Sequence, residues 1–231
     1  MKNRVLIAED EKPISDIIKF NLEKEGYEII TAYDGEDALK KALNEQLELI
    51  ILDIMLPSMD GFEICKRVRE KSSVPIIMVT AKEEEVDKIL GLELGADEYI
   101  TKPFSIRELV ARVKANVRRQ EMNINADQQE KEIIKNKDLS IDLMKYEVKK
   151  GSTSIDLTVR EFELLKFLAK QKDQVFSREQ LLERVWGYEY YGDIRTVDVT
   201  VRRLREKVED DSSNPTYIMT KRGVGYYFKG E

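Results

Sequence analysis

Leu49-Ile50-Ile51-Leu52-Asp53-Ile54-Met55-Leu56-Pro57 decides the fold. Four aliphatic residues in succession read as a strand buried on both faces, the pattern of a parallel sheet. Nothing in the run can pair with the carboxylate that follows. Asp53 therefore belongs at the carboxyl end of the strand, where the chain leaves the core. Two other runs end in the same polar way: Val5-Leu6-Ile7-Ala8 leads into Glu9-Asp10-Glu11, and Pro75-Ile76-Ile77-Met78-Val79 into Thr80. In open α/β sheets ligands bind beyond the carboxyl ends of the strands, where the strand order reverses. Three acids converging there imply a cation and chemistry on Asp53.

Outward from this run, strands are predicted near 4–8, 28–32, 49–53, 75–80 and 98–101. Helical patterns alternate with them near 13–25, 35–46, 61–71, 84–94 and 105–119. Gly26, Gly35, Gly61 and Gly95 punctuate the joins. The alternation predicts a doubly wound, five-stranded parallel sheet with helices on both faces. The polar stretch from Gln120 to Gln129 lacks periodicity, which sets a first domain at 1–119, a linker at 120–130 and a second domain at 131–231. In that second domain Leu139-Ser140-Ile141-Asp142-Leu143 and Tyr146-Glu147-Val148 alternate like short antiparallel strands, with a turn at Lys149-Lys150-Gly151. Capping boxes at Thr158-Val159-Arg160-Glu161 and Ser177-Arg178-Glu179-Gln180 open two helices. A third helix is expected from about Ile194 to Val208, then a hairpin around Gly223-Val224-Gly225. Three helices and a hairpin make a winged helix-turn-helix, an α+β domain.

Composition narrows the function. With 42% hydrophobic and 36% charged residues in 231, the chain is a folded, globular one. No apolar run approaches the length of a bilayer crossing, and Met1-Lys2-Asn3-Arg4 leads into a strand too short for a signal-peptide core. No membrane association is expected. The single cysteine, Cys65, cannot form an internal disulfide, which fits the cytoplasm; it is expected to pack as a small hydrophobe on a helix. Histidine is absent, so the chain has no imidazole triad, histidine zinc site or phosphohistidine of its own. The net charge of −6 divides into −5 over residues 1–120 and −1 over 121–231. Any nucleic-acid function must therefore rest on a local basic cluster.

Glu9, Asp10 and Asp53 side by side would repel one another without a divalent cation or raised proton affinities. An all-oxygen set suits Mg²⁺, which accepts phosphate oxygens as further ligands. A carboxylate beside such an ion can attack phosphorus and form an aspartyl-phosphate. Thr80 is placed to hydrogen-bond the product, and Lys102, after the fifth strand, to pair with its charge. Each residue alone has a plainer role: the acids as a helix cap, Lys102 as a surface lysine. Acid pair, acid, hydroxyl and Lys-Pro, in order at successive strand ends, are what favour the chemical reading. On a 100° wheel the third helix puts Val197, Val201, Leu204 and Val208 on a core stripe, and Arg195, Val199, Arg202, Arg203 and Glu206 opposite. Arginines with a small apolar side chain suit a major groove, where they meet guanine, phosphate and the thymine methyl. The alternative is a solvated helix with Glu206 and Glu209 as partners. Trp186 reads as a core anchor.

Taken together, Ala8-Glu9-Asp10-Glu11, Leu52-Asp53-Ile54-Met55-Leu56-Pro57, Met59-Asp60-Gly61, Val79-Thr80-Ala81, Gly95-Ala96-Asp97-Glu98-Tyr99 and Lys102-Pro103-Phe104 resemble a two-component receiver domain of flavodoxin-like fold. The whole chain resembles an OmpR/PhoB-family response regulator. Asp10-Glu11-Lys12-Pro13-Ile14 and Ala111-Arg112-Val113-Lys114-Ala115-Asn116 look most like its WalR (YycF) branch. The resemblance implies that Asp53 accepts a phosphoryl group from the phosphohistidine of a sensor histidine kinase. It implies Mg²⁺ on Glu9, Asp10, Asp53 and the Met55 carbonyl, a cis peptide at Lys102-Pro103, and a switch pair, Thr80 and Tyr99. It implies a homodimer through the receiver, pairing Lys88 with Glu108, Glu98 with Arg112 and Asp97 with Arg119. Glu98 stands where the family more often has aspartate. In the second domain it implies binding to double-stranded promoter DNA. Arg195, Thr196, Thr220 and Tyr226 would hold phosphates, Val199, Thr200, Arg202, Arg203 and Arg205 would enter the groove, and Arg222 would reach the minor groove. The aromatic loop at 187–193 is a candidate surface for RNA polymerase. The expected function is thus phosphorylation-controlled transcription regulation, with no enzymatic activity beyond phosphorylation and dephosphorylation at Asp53. The alternatives are a Mg²⁺-dependent phosphohydrolase, for which Met55 stands where a second acid is usual, and a phosphate-insensitive architectural DNA binder.

Overall fold

The computed structural model describes residues 3–81, 85–124, 133–187 and 194–230. They divide into two compact units, Met1–Glu121 and Met122–Glu231.

In the first unit β1 (Arg4–Ala8), β2 (Glu28–Ala32), β3 (Leu49–Leu52), β4 (Ile76–Thr80) and β5 (Glu98–Thr101) alternate with α1 (Lys12–Lys24), α2 (Gly35–Asn44), α3 (Gly61–Arg69), α4 (Glu85–Leu94) and α5 (Ile106–Ile124). The sheet order is β2-β1-β3-β4-β5, with every pair parallel. Because side chains alternate along a strand, each strand feeds two cores. Leu6, Ile50, Leu52, Ile76 and Met78 pack with Ala38, Ile64, Cys65 and Val68 on one face. Val5, Ile7, Ile51, Ile77 and Val79 pack with Ile18, Leu22, Leu109 and Val113 on the other. Burying an aliphatic side chain of this size contributes about 1.5–3 kcal/mol, so the continuous aliphatic runs hold the sheet between its helices. Cys65 packs on α3 as the sequence predicts. Asp34 and Asp60 cap α2 and α3 by accepting from the N–H groups of Asp37 and Glu63. By contrast Glu11, at the start of α1, makes no side-chain cap bond, while Glu9 accepts from the Glu11 N–H at 3.3 Å. Helix α5 continues to Ile124, into the stretch read as linker; residues 125–132 lie outside those described.

The second unit opens with a four-stranded antiparallel sheet, β6 (Ile133–Asn136), β7 (Leu139–Asp142), β8 (Glu147–Lys150) and β9 (Thr153–Ile155). The sequence pattern exposes only the middle pair, since β6 is largely exposed and β9 has only three residues. The turn falls at Gly151, in the left-handed region at φ 58°, with Lys149 and Lys150 still in β8, a correction of one to two residues. Three helices follow: α6 (Val159–Lys170), α7 (Arg178–Leu181), which runs on as a π-turn over Leu182–Trp186, and α8 (Arg195–Val208). Both expected capping boxes are formed. The hairpin, β10 (Ile218–Lys221) and β11 (Gly225–Phe228), is the wing. Gly225 is required where it stands, because a Cβ there would lie 1.8 Å from the Phe176 carbonyl oxygen. Trp186 sits in the core of this unit. Residues 188–193, which carry most of the aromatic loop, lie outside the described residues. Among the described residues no helix is long and apolar enough to cross a membrane.

Candidate functional site

Register builds the acid pocket. Ala8 pairs with Leu52 across β1 and β3, so the residues that follow, Glu9 and Asp53, leave the sheet side by side. The Asp53 N–H donates to the Ala8 carbonyl at 2.9 Å and the Glu9 N–H to the Ala32 carbonyl at 3.0 Å, which extends the ladder to the acids themselves. Lys102 follows β5, with its N–H on the Thr80 carbonyl at 2.8 Å. The Lys102-Pro103 peptide is cis, as the resemblance implies. Behind the pocket Gly61 lies so near the backbone that a Cβ would come within 2.3 Å of the Asp53 carbonyl oxygen.

These elements place Lys102 Nζ 2.6 Å from Asp53 Oδ2 and 2.8 Å from Glu9. Glu9 and Asp53 are buried and Asp10 is exposed, with one oxygen from each within 4.8 Å of the others. Three carboxylates at that spacing, one open to solvent, fit a small hard cation that retains water ligands. Met55 donates its N–H to Asp53 Oδ1 at 2.9 Å, which brings the loop whose carbonyl was expected to join them onto the same carboxylate. Burial pushes the Glu9 carboxyl up to about 7; the Lys102 hydrogen bond opposes this and the charge of Asp53 adds to it. Burial pulls the Lys102 ammonium down, but the hydrogen bonds and charges of Asp53 and Glu9 outweigh it and hold the group above its ordinary value. Thr80 and Tyr99 are both buried. Burial, with Asp87 and Asp53 nearby, raises the Tyr99 phenol well above its usual range.

In the second unit the exposed side of α8 carries Arg195 and Arg202, the latter 61% exposed and 3.1 Å from Glu206. Thr220 and Arg222 are exposed on the wing. Gly223, at φ 75°, makes its tip. The other predicted contacts face inward. Val199, Thr196 and Thr200 are buried, and the Thr200 hydroxyl donates to the Thr196 carbonyl at 2.8 Å. Arg205 donates twice to the Ile218 carbonyl and once to Thr220 Oγ1, at 2.7–2.9 Å, and so ties α8 to the wing. The Tyr226 hydroxyl donates to Asp198 at 2.6 Å, and Arg178 meets the same carboxylate at 2.6 Å. Arg203, 12% exposed, pairs with the buried Glu161 of α6 at 2.9 Å. The helical wheel assigned Val199 and Arg203 to an open face; the structure corrects both, because α8 has neighbours on its flanks as well as beneath it.

Both units match known families. Residues 5–114 match the response regulator receiver domain and residues 152–228 the C-terminal domain of transcriptional regulatory proteins. A single-site mutant of RitR is 31% identical over 99% of this chain and 100% of its own, with a TM-score of 0.75. DrrB, an OmpR/PhoB homologue from Thermotoga maritima, is 35% identical over the full length of both chains, with a TM-score of 0.53. The receiver domain of Francisella response regulator 1452 is 37% identical over 52% of this chain and 99% of its own, with a TM-score of 0.50. This chain is an OmpR/PhoB-type response regulator. Its domain content is that of a DNA-binding transcription regulator.

Within the response regulator, the charges expected to pair across a dimer are held inside one chain. Asp97 is buried, accepting from Arg69 at 2.7 Å and from the Ile76 N–H at 3.0 Å. Glu98 is 1% exposed and takes Arg112 at 2.8 Å and the Asn116 amide at 2.9 Å. Arg112 also pairs with Glu108 at 2.6 Å. Asp97, Glu98 and Arg112, expected at a dimer surface, are all buried in the single chain. Glu98 reaches back onto α5 through both carboxylate oxygens. The side chains of Lys88 and Arg119 lie outside the described residues. Sequence reasoning missed Arg69 and Asp198, and the partners that Asn116 and Glu161 find on other elements, which leave no local signal.

Proposed function

We propose that Asp53 is the phosphoacceptor and that its phosphorylation controls binding of the second domain to promoter DNA. An Asp53 oxygen attacks phosphorus, the bond to the histidine nitrogen of a sensor histidine kinase breaks, and the imidazole leaves. Glu9, Asp10, Asp53 and the Met55 carbonyl would hold Mg²⁺, which would offset charge on the transferred group. Lys102 keeps its pairing with the product, and the Thr80 hydroxyl turns to a phosphoryl oxygen while Tyr99 remains inside. The observation that carries this reading is the convergence of Glu9, Asp10 and Lys102 on Asp53.

The receiver then forms a homodimer in which Arg112 exchanges its own Glu98 for that of a second copy. Arg195, Arg202, Thr220 and Arg222, exposed without rearrangement, are the first DNA contacts on repeated half-sites, and RNA polymerase is the partner downstream. The segments Asp10–Ile14 and Ala111–Asn116 favour the WalR branch, and the single cysteine favours a cytoplasmic site of action. The experiment is labelling with acetyl phosphate and Mg²⁺. The wild type takes one phosphoryl group per chain and Asp53→Asn takes none; equal labelling of the two would overturn the assignment. Sustained turnover of a phosphomonoester would favour the phosphohydrolase instead.

A further inference from the structure

Glu161 is fully buried at the third position of α6, yet it carries a charge its local task does not need. Its Oε2 accepts from the Thr158 N–H at 2.9 Å and closes the capping box. Glutamine closes such a box as well as glutamate. A buried carboxylate is costly unless cations answer it, and two do. Lys207 Nζ lies 2.7 Å from Oε2 and the Arg203 guanidinium 2.9 Å from Oε1. Lys207 also donates to the Asp156 carbonyl at 3.0 Å. Arg203 and Lys207 stand one helical turn apart on the flank of α8, beside the exposed stripe of Arg195, Arg202 and Glu206. They are thus cations at the margin of the DNA-facing surface, bound to the protein's own core.

We propose that Glu161 is a positioning residue that sets discrimination between cognate and random DNA, by withholding Arg203 and Lys207 from the phosphate backbone. The proposal rests on the DNA-binding reading of this domain. Cations that reach phosphates add affinity without sequence information. Tethering two of them to a buried acid leaves recognition to Arg202 and the wing, and lowers the background on every other sequence. The acid also holds both cations to α6, so the tether and the seat of the recognition helix are one contact.

The test compares the full-length chain with Glu161→Gln, which keeps the cap and removes the charge. Binding to a duplex selected by the wild type and to a random duplex is titrated between about 50 and 200 mM salt, the range over which phosphate contacts express themselves. Each freed cation that finds a phosphate should steepen the slope of log K against log salt by about 0.9, a further loss of about three- to fourfold across that range. Affinity for the random duplex should rise at the low-salt end, and the ratio of selected to random binding should fall. Lys207→Gln alone should leave the slope unchanged, while Glu161→Gln with Lys207→Gln should recover about one contact's worth. If Glu161→Gln does not fold by circular dichroism, Glu161→Asp, whose charge falls one methylene short of the cations, carries the same comparison. A slope and a ratio unchanged from wild type in the folded variant would overturn the proposal. Failure of the wild type to prefer any duplex would instead overturn the DNA-binding reading.

Discussion

Lys102→Met tests the electrostatics of the acid pocket most sharply, because one ammonium answers two buried carboxylates. Lys102 is 12% exposed, with Nζ 2.6 Å from Asp53 and 2.8 Å from Glu9. Removing one partner from a buried ion pair costs about 3–5 kcal/mol, since the remaining charge is stranded. Here part of that cost is relieved by protonation. Glu9 already titrates at about 7, and loss of Lys102, which holds it down, moves it higher. A carboxyl raised above its unfolded value binds a proton preferentially in the native state, so stability falls as pH rises from about 4.5 through the folded value. At pH 6 Glu9 is neutral and the variant should lose about 1–2 kcal/mol; at pH 8 neutralising it is an uphill step and the loss should be about 3 kcal/mol. Mg²⁺ replaces the missing positive charge, so it should restore more stability to the variant than it adds to the wild type. Urea unfolding followed by far-UV circular dichroism, at both pH values and with or without Mg²⁺, measures all of these. Equal stability of the two proteins at pH 8, or a gap that Mg²⁺ does not narrow, would refute the reasoning.

Gly61→Ala would drive a Cβ to 2.3 Å from the Asp53 carbonyl, against backbone that cannot yield cheaply; a loss of about 2–3 kcal/mol and slower labelling by acetyl phosphate are expected, checked by thermal melting and phosphotransfer rates. Arg205→Met removes three hydrogen bonds between α8 and the wing. It should cost about 1.5–3 kcal/mol of stability and weaken selected and random duplexes by the same factor; a change confined to one base position would make Arg205 a base contact instead. Glu98→Asp shortens the arm that holds Arg112 within its own chain, so sedimentation should show tighter self-association with beryllofluoride, while unchanged association would rule out Glu98 as a brake on the dimer.

What the sequence reveals follows a physical division. The central strands of the first unit, β1, β3 and β4, show because each buries both faces and so carries an uninterrupted apolar run, and the pocket shows because polar residues terminate those runs in a fixed order. The capping boxes show because their partners lie three residues apart. Side-chain partners from other elements do not show. A wheel separates core-side from solvent-side positions only along one axis, so it reads Leu204 and Val197 correctly as core but cannot see Glu161 reaching Arg203 from α6, or Ile218 receiving Arg205 from the wing. Helix α5 outruns its expected end because Gln120, Glu121 and Met122 are good helix formers with no apolar face to reveal them. Glu98 in place of the more usual aspartate is visible in the sequence, but its contacts with Asn116 and Arg112 appear only when the structure supplies the partners.

The central claim is that a phosphoryl group on Asp53 changes the affinity of the second domain for DNA. The direct measurement is binding of the full chain to a duplex selected from a random pool, with and without beryllofluoride and Mg²⁺, in the wild type and in Asp53→Asn. Coupling between two sites in one protein is typically about 1–3 kcal/mol, so the wild type should bind about 5- to 150-fold more tightly with beryllofluoride, and Asp53→Asn should not respond. Equal affinity in the wild type under both conditions, or an equal response from Asp53→Asn, would contradict the account.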